Sequence, residues 1–158
     1  MAIKYKTERQ IENLSKKIIK AFLEEKSVFL VGKTDEGKTY FVKNFLIFYL
    51  KKSGIKTKYF KNINELKINK KVELAVIDEV EILDDKEFLE EEHPEESPYY
   101  TKKYLKLVKK WHQKLSKIEI PCVYLITHNN QKDINYLKKN IKKAKWNGSS
   151  LVVLEYKN

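Results

Sequence analysis

The chain has 158 residues, of which 42% are hydrophobic and 35% charged, with a formal net charge of +11, and we expect one domain spanning residues 1–158. No apolar run is long enough to cross a membrane, and the first residues contain no signal-peptide core. A single cysteine, Cys122, can form no internal disulfide, so these features favour a reducing, cytoplasmic location.

The first third of the chain predicts two helices and two strands. Apolar residues at helical spacing indicate an amphipathic helix over 8–25. The apolar run 28–32 predicts a strand, and a helix-competent run from 38 to 52 follows it. Gly54 stands where a C-terminal glycine cap belongs, and a short second strand is expected at 56–60.

The loop between the first strand and the second helix matches the pattern Gly-x-x-x-x-Gly-Lys-Thr. In this context the pattern is typical of a phosphate-binding loop, because glycines let backbone N–H groups surround phosphate oxygens at a helix N-terminus. Lys38, expected to be an exposed ligand and not a core residue, would reach the β- and γ-phosphates, and the Thr39 hydroxyl would ligate Mg²⁺. The predicted ATP-binding residues are Gly32, Lys33, Thr34, Asp35, Glu36, Gly37, Lys38, Thr39 and Tyr40.

A third strand is predicted at 74–77, where an apolar run ends in Asp78 and Glu79. Open α/β sheets gather their ligands at the carboxyl ends of the strands. We therefore expect Asp78 to hold the Mg²⁺ shell opposite Thr39, and Glu79 to orient or deprotonate the attacking water. An ordinary strand followed by an acidic turn is the simpler alternative.

Residues 80–100 interrupt this pattern. They contain two prolines and many acids, which predicts a surface loop or insertion, partly mobile. His93 within the segment is expected to be exposed, and one histidine among carboxylates is a weak indication of a metal site. An acidic segment of this kind is also a candidate contact for a protein partner.

The rest of the chain predicts a helix over 99–117, a strand over 122–126, a helix over 131–145 and a final strand over 151–156. The inward residues of the first of these helices are expected to be Tyr104, Leu107, Val108, Trp111 and Leu115. Lysines occupy the other positions of both helices, which makes these two faces a candidate surface for DNA or RNA.

The charge is unevenly distributed. Residues 78–96 hold 11 acids and one lysine, a net charge of −10, so the rest of the chain carries +21. Arg9 is the single arginine, and the basic charge is otherwise lysine. A basic surface of this size favours polyanions such as nucleic acid, although a heat-adapted surface would have a similar composition. Charge alone identifies no partner.

The alternation of strands and helices predicts a three-layer α/β/α fold with a doubly wound, parallel, five-stranded sheet. With its glycine-rich loop and its Asp78–Glu79 pair, the chain resembles the AAA+ core of helicase loaders and initiators, the DnaC, IstB and DnaA group of P-loop NTPases. The resemblance covers about residues 8–156 and implies the strand order 5-1-4-3-2. It also implies an ATPase that couples nucleotide state to nucleic acid or to a partner in DNA replication or recombination.

The resemblance assigns a role to each motif residue. It places Gly32, Gly37, Lys38 and Thr39 in Walker A and the pair Asp78 and Glu79 in Walker B. It places a sensor for the γ-phosphate or the water on Thr127 or Asn129. For these two positions, helix capping by Asn129 or Asn130 is the alternative.

Several features depart from that family. No helical lid follows the last strand, and no arginine stands where a finger residue for a neighbouring subunit is expected, so we predict slow hydrolysis. Asp35 and Glu36 are unusual beside a polyphosphate and must point outward. Lys33 matches the position of the signature lysine of ParA- and MinD-like dimeric ATPases, or it is simply exposed. The competing functions are those of a small-molecule kinase and of a non-hydrolysing ATP-binding adaptor.

Overall fold

The sheet has five strands, all parallel, in the order β2-β3-β4-β1-β5. Residues 8–32, 37–81, 85–127, 131–140 and 151–155 are described by the structure, a computed structural model. The α/β class and the parallel five-stranded sheet are confirmed. Counted from the outer strand β5, the order is 5-1-4-3-2, the order that the family resemblance implies. The strands are Ser27–Gly32 (β1), Thr57–Phe60 (β2), Leu74–Ile77 (β3), Cys122–Thr127 (β4) and Leu151–Glu155 (β5).

Six α-helices are described, and all but the first of them lie between strands along the chain. Two 3₁₀ segments, Ile63–Glu65 and Pro94–Tyr99, accompany them. A π-helical segment, Val42–Leu46, joins α2 to α3 without a break. The helices are Glu8–Leu23 (α1), Lys38–Phe41 (α2), Ile47–Lys52 (α3), Lys86–Glu92 (α4), Lys102–Ser116 (α5) and Gln131–Asn140 (α6). No helix in the described part of the chain is long and apolar enough to cross a membrane.

Helices cover both faces of the sheet, which explains the unbroken apolar runs of its strands. All six residues of β1 are buried. Val28 and Leu30 belong to a core that includes α1 and the helical run from α2 to α3, whereas Phe29 and Val31 belong to a second core that includes α4 and α5. A parallel strand that is covered on both faces has no solvent-exposed face. Its sequence is therefore a continuous hydrophobic run and does not alternate between apolar and polar residues.

Gly54 ends the helical run after α3, as the sequence predicts. Its φ is 87°, in the left-handed region that favours glycine. The Gly54 N–H donates to the Lys51 carbonyl at 3.0 Å, and the Ile55 N–H donates to the Leu50 carbonyl at 3.1 Å. These two bonds form a Schellman motif, which turns the chain directly into β2.

The sequence predicts a surface loop or insertion over 80–100. Residues 85–99 are not a loop, because α4 and a 3₁₀ segment lie there, and the insertion stays a prediction. Asp85 caps α4 by accepting the Phe88 N–H at 3.2 Å, and Leu89 is buried in the core. His93 is half-buried, not exposed as expected, because its Nε2 lies 2.9 Å from both carboxylate oxygens of Asp133. The sequence does not indicate this short helix, because five of its seven residues are charged and only Phe88 and Leu89 are apolar.

Contacts with α6 hold the acidic segment in place. The Tyr136 hydroxyl donates to Asp85 Oδ2 at 2.7 Å, and its ring stacks on Phe88 at 4.0 Å between centroids. Lys132 lies 3.5 Å from Glu92. The bond from Tyr136 and the Phe88 N–H hold the pKa of Asp85 below its ordinary value of 3.8. The segment is therefore part of the folded structure along α6.

The inward face of α5 differs from the prediction at one position. Val108 and Leu115 are buried, as expected, but Leu107 is 43% exposed and Leu105 is buried in its place. Thr101 caps the helix by accepting the Tyr104 N–H at 3.1 Å, which fixes the residue at which the helix begins. The end of the helix predicted over 131–145, including Ile141, lies outside the described residues.

Candidate functional site

Three of the predicted site residues meet at one edge of the sheet. Gly32 ends β1, Thr127 ends β4, and Asp78 follows β3 directly. Gly32 and Thr127 are register partners across the β1–β4 pair. Because the strands are parallel, their carboxyl ends lie at the same edge, where ligands of open α/β sheets bind. The side chain of Thr127 and the whole of Asn129 lie outside what the structure describes, so the sensor role stays a prediction.

The end of the glycine-rich loop leads into α2. Gly37 has φ 78° and ψ 19°, a left-handed conformation that favours glycine, and its carbonyl accepts the Phe41 N–H at 2.9 Å. The four preceding residues, Lys33, Thr34, Asp35 and Glu36, lie outside the described residues, and their predicted contacts stay predictions. Tyr40 is 43% exposed, with its ring edge-on to Phe45 at 6.1 Å between centroids.

Lys38 is buried, which corrects the expectation of an exposed lysine. Only 5% of the residue is accessible. Its ammonium donates to the Ile126 carbonyl at 2.6 Å and to the Gly32 carbonyl at 3.4 Å. A buried ammonium requires such acceptors, and the ends of two adjacent strands supply them. The positive charge therefore lies between the carboxyl ends of β1 and β4.

Asp78 is the centre of a hydrogen-bond network that joins three elements. It is 5% exposed. Thr39 Oγ1 donates to Oδ2 at 2.9 Å, the Tyr59 hydroxyl donates to the same oxygen at 2.7 Å, and the Glu79 N–H donates to Oδ1 at 2.8 Å. The predicted magnesium pair, Thr39 and Asp78, is thus brought into direct contact.

These oxygen donors fit one class of cation. A hydroxyl and a carboxylate oxygen are hard ligands, and Mg²⁺ is held in proteins by one or two carboxylates while it keeps several waters. Among the residues that the structure describes, no group of three or more His, Cys, Asp or Glu side chains could hold a metal ion alone. Within this site, Thr39 and Asp78 supply two oxygen ligands.

Glu79 lies at a sharp turn beside this network. Its φ is 53°, in the left-handed region, and its side chain is exposed. Hydrogen bonds on both sides hold the turn: the Asp78 N–H donates to the Phe60 carbonyl at 2.9 Å, and the Val80 N–H donates to the Leu125 carbonyl at 3.1 Å. Such a backbone costs about 1 kcal/mol for a residue with a Cβ. The turn places the carboxylate at the same edge as Lys38.

Tyr59 is a member of the site that sequence reasoning missed. It lies on β2, whose residues pair with β3, and its hydroxyl reaches the carboxylate that follows β3. Burial, together with the hydrogen bond to Asp78 and the negative charge of Asp78, raises the pKa of Tyr59 above its ordinary value of 10.0. The sequence alone would assign an aromatic residue in a strand to the hydrophobic core. Its contact with Asp78 becomes visible only because β2 lies next to β3.

We expect Tyr59→Phe to lower the free energy of unfolding by about 1–2 kcal/mol at neutral pH, since a hydrogen bond to a charged group is removed. The raised pKa of Tyr59 means that this contribution is complete below pH 10.0 and is lost as the pH rises through the folded-state pKa. Urea unfolding at neutral and at alkaline pH measures both effects. A difference between the two proteins that does not shrink at alkaline pH would contradict the prediction.

Tyr136→Phe is the matched control, because its hydroxyl also donates to an Asp Oδ2 at 2.7 Å, away from the site. Both variants lose one bond of the same kind. We expect Tyr59→Phe, and not Tyr136→Phe, to change the Mg²⁺ concentration needed for the predicted nucleotide binding, since of these two tyrosines only Tyr59 contacts Asp78. The same Mg²⁺ requirement in both variants would make Tyr59 a structural residue.

No protein-family model and no curated protein matches this chain. The resemblance described above therefore depends on the residues of the chain and on their geometry. The strongest part of that geometry is the contact between Thr39, which follows Lys38 at the start of α2, and Asp78, which follows β3.

Proposed function

We propose that the chain binds ATP with Mg²⁺ at the carboxyl edge of the sheet and hydrolyses it slowly. One observation carries the proposal: Thr39 Oγ1 lies 2.9 Å from Asp78 Oδ2, at the same edge of the sheet as the buried ammonium of Lys38. A cation and a hydroxyl from the start of α2, together with a carboxylate from the end of β3, are the protein groups with which P-loop NTPases hold a magnesium-bound triphosphate.

The chain's own residues divide the binding between them. Lys38 would exchange its backbone acceptors, the carbonyls of Gly32 and Ile126, for phosphate oxygens, which pair more strongly with an ammonium because they are charged. Thr39 would ligate Mg²⁺ directly and Asp78 would do so through water, with Tyr59 keeping the carboxylate in orientation. The metal, when bound, neutralises charge on the β- and γ-phosphates.

Glu79 is the proposed base. Hydrolysis joins the water oxygen to the terminal phosphorus and breaks the bond to the bridging oxygen, and the released proton passes to the Glu79 carboxylate. The exposed side chain of Glu79 leaves it accessible to a water at the sheet edge. Arg9, the one arginine of the sequence, belongs to α1, so Lys38 and the metal must stabilise the developing charge. This supports slow turnover.

The position of β4 between β1 and β3 supports the resemblance to the AAA+ core of helicase loaders and initiators. In that arrangement the residue that ends β4, Thr127, stands beside Gly32 and next to the strand that carries Asp78. We therefore extend the proposal to a P-loop protein of this type, in which the nucleotide state is coupled to nucleic acid or to a protein that handles it.

ATP turnover, measured with Mg²⁺ or with a chelator, and with or without single- and double-stranded DNA, tests the proposal. We expect slow, magnesium-dependent turnover that DNA stimulates. Binding of ATP without turnover would make the chain a nucleotide-dependent adaptor, and phosphoryl transfer to a small molecule would make it a kinase. Failure to bind ATP at all would refute the proposal.

A further inference from the structure

The amino-terminal edge of the sheet carries a basic groove, opposite the edge that holds Lys38 and Asp78. Two adjoining depressions form it, one of about 530 Å³ and one of about 460 Å³, and both include Asn69 in their lining. They lie before the starts of β2, β3 and β4, because they are lined by the segments around residues 51–58, 66–72 and 114–120. We call the two depressions together the amino-edge groove.

Lysines dominate the charged lining of this groove. The first depression contributes Lys51, Lys56, Lys58 and Lys71. The second contributes Lys70, Lys114 and Lys117. All seven are exposed, and Glu119 is the one acid in the lining of either depression. Seven cations facing one carboxylate create a strongly positive potential, which a concave surface concentrates.

These lysines are not neutralised by acids of the described part of the chain. Lys114 donates to the Ile63 carbonyl at 3.1 Å, and the ammonium of Lys58 lies 5.2 Å from the centre of the Phe60 ring. Neither contact removes a positive charge. The carboxylate of Glu73 accepts the backbone N–H of Lys56 at 3.2 Å and adds one more negative charge beside the groove. With seven lysines against these two acids, the groove keeps a net positive charge for a ligand.

We propose that the amino-edge groove binds the phosphodiester backbone of a nucleic acid. This inference deepens the proposed function and rests on it for the class of partner, while its location comes from the groove alone. Between the lysines the lining is mostly aliphatic, with Thr57, Asn69 and Glu119 as its polar members, and none of its residues, all within the described part of the chain, is aromatic or arginine. Protein hot spots are enriched in tryptophan, tyrosine and arginine. A row of lysines without them fits an evenly charged polymer better than a protein partner.

The opposite charge at the other edge favours this location. The acid-rich stretch 78–96 follows β3 in the sequence, and its residues 85–93 pack along the start of α6, which begins shortly after β4 ends. Burial is the main cause that raises the pKa of Tyr104 on α5, and the negative charges of Glu81 and Glu96 in this stretch raise it further. Two acids therefore lie near Tyr104 in the first turn of α5 and lower the positive potential there. The amino-edge groove is the better site, although the sequence alone favours the lysine faces of the helices.

The test is a comparison of two triple variants with equal charge. Lys51→Glu/Lys56→Glu/Lys71→Glu alters the groove, and Lys106→Glu/Lys109→Glu/Lys110→Glu alters the outer part of α5. Each lowers the formal net charge by six, from +11 to +5. Binding of a short labelled DNA duplex is measured without nucleotide over a range of salt concentrations, with a poly-glutamate chain of matched charge as competitor.

We expect the groove variant to bind DNA roughly tenfold or more weakly, and its log–log salt slope to fall by about 0.9 for each phosphate that the variant no longer neutralises. The helix variant should bind almost as the wild type does, and little sequence preference is expected. Equal losses in both variants, wild-type binding by the groove variant, absence of binding by the wild type, or equally strong binding of poly-glutamate would each overturn the proposal.

Thermal melting and a shift assay with Mg²⁺-ATP accompany the binding measurement. β3, four residues long, separates the two edges by about 13 Å, so the groove variant should keep its response to nucleotide. If the groove variant loses DNA binding but keeps ATP binding, the groove is the DNA site. If the wild type does not bind ATP, the proposed function fails, and the groove is judged by DNA binding alone. If the glutamate triple variant does not fold, Lys51→Gln/Lys56→Gln/Lys71→Gln replaces it and should give a smaller loss in the same direction.

Discussion

Lys38→Met is expected to abolish the binding of Mg²⁺-ATP and to leave the sheet folded. At a ligand concentration of about 100 Kd, nucleotide binding adds about 2.7 kcal/mol to the free energy of unfolding. For a chain of this size that gain raises the melting temperature by roughly 5–10 °C. The variant should show no such rise, because the ammonium that lies between the ends of β1 and β4 is absent. Methionine keeps most of the buried stem of the side chain.

Each protein must be compared with its own melting temperature without nucleotide. Lys38 is 5% exposed, and its removal leaves the Ile126 carbonyl without this donor, which costs about 1–3 kcal/mol of stability. Lys52→Met, at the exposed end of α3, is the matched control and should respond to nucleotide as the wild type does. An equal response in Lys38→Met would remove the basis of the phosphate-binding assignment.

Glu79→Gln is expected to reduce ATP hydrolysis by roughly 100-fold or more while ATP remains bound, because a general base contributes at least this much. Glutamine keeps the length of the side chain and can adopt the same left-handed turn, so the network around Asp78 should persist. Single-turnover hydrolysis and a nucleotide-binding assay separate the two effects. Glu87→Gln, an exposed acid on α4, is the control.

Asp78→Asn should behave differently from Glu79→Gln, although the two residues are neighbours in sequence. The amide nitrogen cannot accept the bonds that Thr39 and Tyr59 donate to Oδ2, so we expect a higher Mg²⁺ requirement and a less stable protein. A magnesium titration of ATP binding measures this change. Wild-type hydrolysis by Glu79→Gln would make Glu79 a structural acid of the turn and would leave the proposed mechanism without its base.

The parts of the fold that sequence could predict depend on local patterns. β1 and β3 are apolar runs bounded by turns. Because both faces of these strands are buried, the runs can be recognised as strands without knowing which strands lie next to them. The place of Asp78 at the edge of the sheet follows from parallel topology alone. The αL glycine cap at Gly54 follows from the backbone freedom of one residue type.

The remaining features depend on contacts between distant segments. Lys38 can be buried because the carbonyl of Ile126, 88 positions away, accepts a hydrogen bond from its ammonium. No sequence pattern near Lys38 indicates this contact. Tyr59 joins the site only because β2 lies next to β3. α4 was concealed because its acids resemble those of a solvated loop, whereas Asp133 and Tyr136 of α6 hold it in place. The amino-edge groove likewise forms where three separate segments converge.

The lysines of the amino-edge groove and the acids of α4 lie toward opposite ends of the strands, and these two charged groups form a local dipole along the sheet. In the field of a polyanion such a dipole experiences a torque, which turns the lysine-lined edge toward the negative charge before contact is made. Under the proposal, encounters with a nucleic acid would therefore be oriented. The edge that carries Gly32, Lys38 and Asp78 would then face open solution, where small diffusing molecules would have access to it while the nucleic acid occupied the amino-edge groove.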